Sequence, residues 1–138
     1  MSKLNSFINK WQGVVIDDDG GHTSHHFRQF QSEYKNLLKS VICKETNTEL
    51  HSFNPNHYDF SAVLKHSETN TFYYLSISDV RHWQDQWLTN ILFRTMAHDK
   101  DWSGGRNQYA NLTDLVEDLN ALINYNTRFL KTNHDLER

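Results

Sequence analysis

The spacing of apolar residues changes twice along this chain, and that change constrains the fold more than any other feature. Phe27, Phe30, Tyr34, Leu37, Leu38 and Val41 step by three and four, the period of a helix that buries one stripe. From Glu49 onward the period drops to two. Tyr58, Phe60, Ala62 and Leu64 alternate with His57, Asp59, Ser61 and Lys65, Val63 being the exception, and Phe72 and Tyr74 oppose Tyr73, Leu75 and Ile77, as in half-buried strands. Leu112, Leu115, Val116, Leu119, Leu122, Ile123, Phe129 and Leu130 return to the helical period. Helices at both ends of a run of strands predict an α+β fold, an antiparallel sheet of three to five strands with amphipathic helices packed on one face.

Smaller signals fill in the order. Leu4, Phe7, Ile8 and Trp11 make a first short helix that Gly13 stops. Val14, Val15 and Ile16 are β-branched and read as a short buried strand before the loop Asp17-Asp18-Asp19-Gly20-Gly21. Thr23 or Ser24 caps the second helix. Leu50 and Phe53 predict a short strand ending before Asn54-Pro55-Asn56, and Ser67-Glu68-Thr69-Asn70 a hairpin loop. Asn90 to Ala97 reads as a further strand with Ile91, Phe93 and Thr95 on one side. Asp99 to Asn111 reads as a long polar loop, Asn111 with Asp114 as the cap of the last helix, and the charged tail from Lys131 as frayed.

At 138 residues the chain suits one domain, 1–138. Fourteen Lys+Arg against 17 Asp+Glu give a formal charge of -3, too little positive field to favour nucleic acid as a partner. Tyr73 and Tyr74 lack the basic-glycine-aromatic context of RNA-stacking sheets, and as neighbours in a strand they face opposite ways. Nine histidines are many for this length, and protonating them all would reverse the sign of the net charge. The single cysteine, Cys43, precludes an internal disulfide and multi-cysteine zinc motifs, and at a helix C-terminus it is poorly placed to become a thiolate. No signal-peptide or membrane-length apolar run is present. A cytoplasmic, non-membrane protein is expected.

Three constellations carry candidate chemistry. His22, His25 and His26 sit at helical spacing behind Asp17 to Asp19, so two imidazoles with a carboxylate such as Asp19 could hold a divalent metal and support hydrolysis. The plainer reading is an acidic loop and a solvated first helical turn, with no cofactor. His57 and Asp59 share one strand face, where a carboxylate can orient an imidazole; the same pair also suits an ordinary polar outer face. His51, His66 and His82 have no partner visible in the sequence.

The third constellation is aromatic and basic. Arg81, Trp83 and Trp87, with Arg94, Lys100, Trp102, Gly104, Gly105, Arg106 and Asn107, offer guanidinium donors, stacking surfaces and close main-chain approach, as an anion site needs. Arg94 could equally pair with Asp99 or Asp101 in a structural turn. Tryptophan and arginine also dominate protein interfaces, so the expectation is a binding module that takes a protein partner, a second copy or a small anionic ligand. The alternative is a small enzyme for a phosphate-bearing or nucleotide substrate, with His98 and Asp99 as acid and base.

Overall fold

The computed structural model describes residues 2–14, 16, 25–56, 59–77, 86–102 and 105–136. Two helices come first, α1 (Ser2–Trp11) and α2 (His25–Leu37). The helical path continues through a π-helical segment, Leu38–Cys43, into the short α3 (Lys44–Thr46), which ends at Asn47 in the left-handed region with φ 55. Five strands follow: β1 (Thr48–Asn56), β2 (Asp59–His66), β3 (Thr71–Ile77), β4 (Ile91–Met96) and β5 (Gln108–Ala110), with the four-residue α4 (Gln86–Thr89) before β4. Helix α5 (Leu115–Leu136) closes the order. The strands lie side by side in sequence order, every neighbour antiparallel, the α+β arrangement expected from the two periods.

The helical stripes become the core. Leu4, Phe7, Ile8 and Trp11 of α1, Phe27, Phe30, Tyr34 and Leu37 of α2, and Leu115, Leu119 and Ile123 of α5 are all buried. They meet Phe60, Ala62 and Leu64 of β2 and Tyr73, Leu75 and Ile77 of β3 in one continuous cluster. Aromatic rings dominate its centre. Phe30 lies edge-on to Trp11 at 5.4 Å and stacks on Tyr34 at 5.9 Å, and Phe60 stacks on Phe27 at 5.6 Å and Phe53 at 5.9 Å. Such pairs contribute about 0.5–1.5 kcal/mol each beyond the area they bury. Burial leaves the Tyr34 phenol well above its usual pKa.

Several boundaries differ from the sequence expectation, each for a physical reason. Val14 and Ile16 are not in a strand, although Ile16 is buried, and Val15 lies outside the described residues; a β-branched side chain fills a buried position outside a strand as well as within one. β1 runs through Asn54, Pro55 and Asn56, because an outermost strand tolerates a proline that an inner one does not. It also carries a bulge between Leu50 and Ser52. β5 forms inside the segment read as a loop, too short to show any period, and pairs with Ile91 to Phe93. Helix α5 begins after a turn at 112–114 and continues past Lys131. Phe129, assigned to its buried stripe, is 51% exposed, because it borders an open cavity between α5 and the strands β4 and β5 and is not packed into the core. The proposed cap at Thr23 or Ser24 lies outside the described residues.

The face away from the helices is not simply solvated. Val63, Tyr74 and Arg94 form one rung across β2, β3 and β4, and Val63, Arg94 and Met96 are buried there. Among the described residues no helix is long and apolar enough to cross a membrane.

Candidate functional site

The loop after β4 folds back over this second face and uses Arg94 as its fastening. The guanidinium lies over the Tyr74 ring at 4.7 Å and donates from Nη2 to the Asp101 carbonyl at 2.9 Å and from Nη1 to the Thr95 carbonyl at 3.1 Å. Asp101 Oδ2 accepts from the Ala97 backbone N–H at 2.9 Å. Trp102, 56% exposed, stands edge-on to Tyr74 at 6.2 Å. Arg94 thus meets the loop through backbone carbonyls, and its fork of donors suits that use.

His98 and Asp99 are adjacent in sequence but engage different partners. Asp99 Oδ2 lies 3.0 Å from His51 Nε2 on the bulge of β1, where His51 is also edge-on to Phe72 at 5.2 Å. His98 Nδ1 accepts from the Lys100 backbone N–H at 3.2 Å. His51 and His66 therefore both have partners that sequence spacing hides. His66 Nδ1 meets Thr69 Oγ1 at 2.8 Å, Thr69 meets Thr71 Oγ1 at 2.7 Å, and Thr71 Oγ1 donates to Tyr73 Oη at 3.1 Å. Each hydroxyl has one proton, so Thr69 donates to Thr71 and the His66 Nδ1–H donates to Thr69.

Where this chain of bonds ends, the helix side of the sheet opens. Asn126 of α5 donates from Nδ2 to Tyr73 Oη at 3.1 Å, and Asn126 is one wall of a cavity of about 760 Å³ between β4, β5 and α5. The strands supply Phe93, Thr95, Gln108 and Tyr109, and the turn before β5 supplies Arg106. The helix supplies Asp118, Ala121, Leu122, Tyr125, Asn126 and Phe129, a stripe at helical spacing beside the buried one. Four large hydrophobic side chains are notably exposed among the described residues, and two of them, Tyr125 and Phe129, line this cavity from α5, whereas Tyr109, at its border, pairs with Leu92 and so shares the second face. Neither Arg106 nor Asp118 has an ion-pair partner among the described residues.

Gly105 sets where Arg106 can stand. It adopts φ +79, and a Cβ there would lie 2.4 Å from the Thr95 carbonyl oxygen, so only glycine lets the turn pass this close to β4. The aromatic-basic constellation is therefore split by the sheet. Arg94 and Trp102 lie on the second face, while Arg106 enters the cavity on the helix side; Lys100 and Asn107 are exposed. Arg81, Trp83 and Gly104 fall outside the described residues, as does the Trp87 side chain.

The metal constellation is only partly within view. His22 and Asp19 lie outside the described residues, as does the His25 side chain; the His26 ring is edge-on to Trp11 at 6.3 Å. Among the described residues no three His, Cys, Asp or Glu side chains gather as metal ligands. His57 and the Asp59 side chain are likewise outside. Cys43 is buried in the π-helical segment. Its thiol is pushed up by burial and by the Glu49 charge, and a hydrogen bond with Thr48 and the Lys39 charge offset this only in part, which disfavours a reactive thiolate.

Sequence spacing picked out Arg106 but missed the helix half of the cavity. The signal was available in Asp118, Leu122, Tyr125 and Phe129, a helical-spaced row on α5 of which the spacing assigns Leu122 and Phe129 to the core stripe. No protein-family model, curated protein or solved structure matches the chain.

Proposed function

We propose that the protein is a binding module that takes a small organic ligand in the cavity between β4, β5 and α5. One observation carries this: two of its most exposed aromatic side chains, Tyr125 and Phe129, line a single cavity together with Arg106, a cation that has no ion-pair partner among the described residues. Tyr125 and Phe129 offer ring faces and edges to a planar or apolar body, and Arg106 offers bidentate donors to an anionic group. The volume is within the ~300–1,000 Å³ typical of small-molecule sites. A lone exposed aromatic needs no explanation, but two on one concavity do.

Arg106 is the part of the aromatic-basic loop that supports this reading, so the anionic-ligand branch of the sequence expectation is favoured over a protein partner on the Trp102 face. The site is tested by titrating phenylacetate and indole into ¹⁵N-labelled protein. Saturable shifts at Gln108, Tyr109, Leu122 and Tyr125 are expected, with phenylacetate weakened by Arg106→Ala and indole unaffected. Absence of saturable shifts at these amides for both probes, up to 10 mM on the order of weak fragment affinities, would overturn the proposal.

A further inference from the structure

Resting on that binding reading, we infer that the cavity's occupant is the C-terminal tail of a partner polypeptide, added as a strand antiparallel to β5, with an apolar last side chain in the cavity and its carboxylate on Arg106. The main chain of β5 points to this. β5 ends the sheet, so its outer edge has no strand beside it, and among the described residues no N–H or C=O of Gln108, Tyr109 or Ala110 bonds anything outside the ladder with β4. β1, at the other border, carries a proline and a bulge, whereas β5 carries neither. The cavity lies on the helix side of this same strand, with Gln108 on one wall and Leu122 and Tyr125 of α5 on another. A free strand edge next to a pocket takes an extended peptide: main-chain bonds supply affinity and the pocket chooses the side chain.

Charge sets the direction. Arg106 stands just before the first residue of β5, exposed and with no ion-pair partner among the described residues. A strand antiparallel to β5 brings its C-terminal end to that side, where a terminal carboxylate meets the guanidinium; a parallel strand would bring its N-terminal end there instead. Directly opposed residues share a face of the sheet, so a last residue opposite Gln108 turns its side chain into the cavity, between Phe93, Leu122 and Tyr125. The residue before it, opposite Tyr109, lies on the second face beside that exposed ring. Asp118, the other charge on the cavity wall, sits in the first turn of α5, where the helix N-terminus stabilises a carboxylate without a ligand cation.

The probe is acetyl-Ala-Ala-Ala-Phe with a free carboxylate, followed by calorimetry and amide shifts, the acetyl group standing in for the rest of the partner chain. It is expected to displace phenylacetate. C-terminal amidation should weaken binding at least tenfold, a penalty absent in Arg106→Ala because that variant has already lost the contact. Consecutive N–H groups of a strand point to opposite sides, so of two peptides N-methylated at Phe or at the preceding alanine, one should bind at least tenfold more weakly than the parent and the other within threefold of it. Equal affinity of acid and amide, or equal effects of the two methyl groups, overturns the inference. A peptide with a free N-terminus that binds at least tenfold tighter than the acetylated one also overturns it, the ligand then being a free peptide and not a partner's tail. If phenylacetate and indole bind while no peptide does, strand addition fails and the binding module stands; if no probe binds, both fail.

Discussion

Two glycines with nearly the same backbone conformation and opposite surroundings provide a controlled test of how the turn before β5 is held. Gly13, after α1, has φ +81 and Gly105 has φ +79; a Cβ on Gly13 would meet nothing within 4 Å, whereas one on Gly105 would lie 2.4 Å from the Thr95 carbonyl oxygen and 3.0 Å from its hydroxyl. Alanine at either position incurs the left-handed penalty of about 1–2 kcal/mol. At Gly105 it must also displace something, and Thr95 has little room to yield, being in a paired strand with its carbonyl accepting from Arg94. The turn must move instead, at a further cost of about 1–3 kcal/mol by analogy with overpacking. A domain of this length loses about 3–4 °C per kcal/mol, so Gly13→Ala is expected to lower Tm by about 5 °C and Gly105→Ala by about 10 °C. Urea denaturation followed by tryptophan fluorescence, with circular dichroism as a second probe, gives the two free energies directly. Equal costs for the two substitutions would refute the close approach to Thr95, and with it the placement of Arg106 beside that strand.

Further outcomes follow from other contacts. Tyr34 and Cys43 are held protonated by burial, so the unfolded chain releases these protons first and stability should fall as pH rises past about 9 and again past about 10; Tyr34→Phe should flatten the second fall, and an unchanged slope in urea titrations would contradict this. Burial pushes the Glu33 carboxyl up, but hydrogen bonds from Lys10 and Trp11 and the Lys10 charge outweigh it and hold it below its usual value. Glu33→Gln should therefore cost up to about 1 kcal/mol at pH 7, since the pair is partly exposed, and this cost should fade as pH falls from the ordinary glutamate range through the lowered value of the folded state, being lost only once the carboxyl is protonated in both states. Arg94→Lys should cost about 1–3 kcal/mol despite keeping the charge, because one ammonium cannot serve the Asp101 and Thr95 carbonyls while covering the Tyr74 ring. A loss under 0.5 kcal/mol in thermal unfolding, on the scale of an ordinary surface change, would show that the loop is held by other contacts.

The parts of the fold that were legible in the sequence are those where one period persists long enough to mark a face. Leu4, Phe7, Ile8 and Trp11 are all buried as their spacing requires, and Tyr73, Leu75 and Ile77 turn inward as alternation demands. Ser67 to Asn70 forms the turn between β2 and β3, with Asn70 at φ 55. What escaped lacks a period or depends on neighbours far along the chain. Three residues of β5 carry no alternation, and Pro55 reads as a break unless β1 is known to lie outermost. The His51 partnership with Asp99 spans 48 positions, and nothing local announces it. The cavity escaped for a related reason: Phe129 resembles one more core residue until α5 is seen to stand off from β4 and β5 and leave a cavity there.

The irregularities of β1 have a consequence for how copies of this molecule meet. A nine-residue strand at the border of a sheet is long enough to template another chain, and polymerisation through such borders is a standing hazard of antiparallel folds. Here one position, Pro55, has no N–H to offer, and the doubled residue at His51 throws the donors on either side of it out of step. An incoming strand could match only a few consecutive positions before meeting one or the other. The proline and the extra residue thus act as punctuation that keeps the sheet finite.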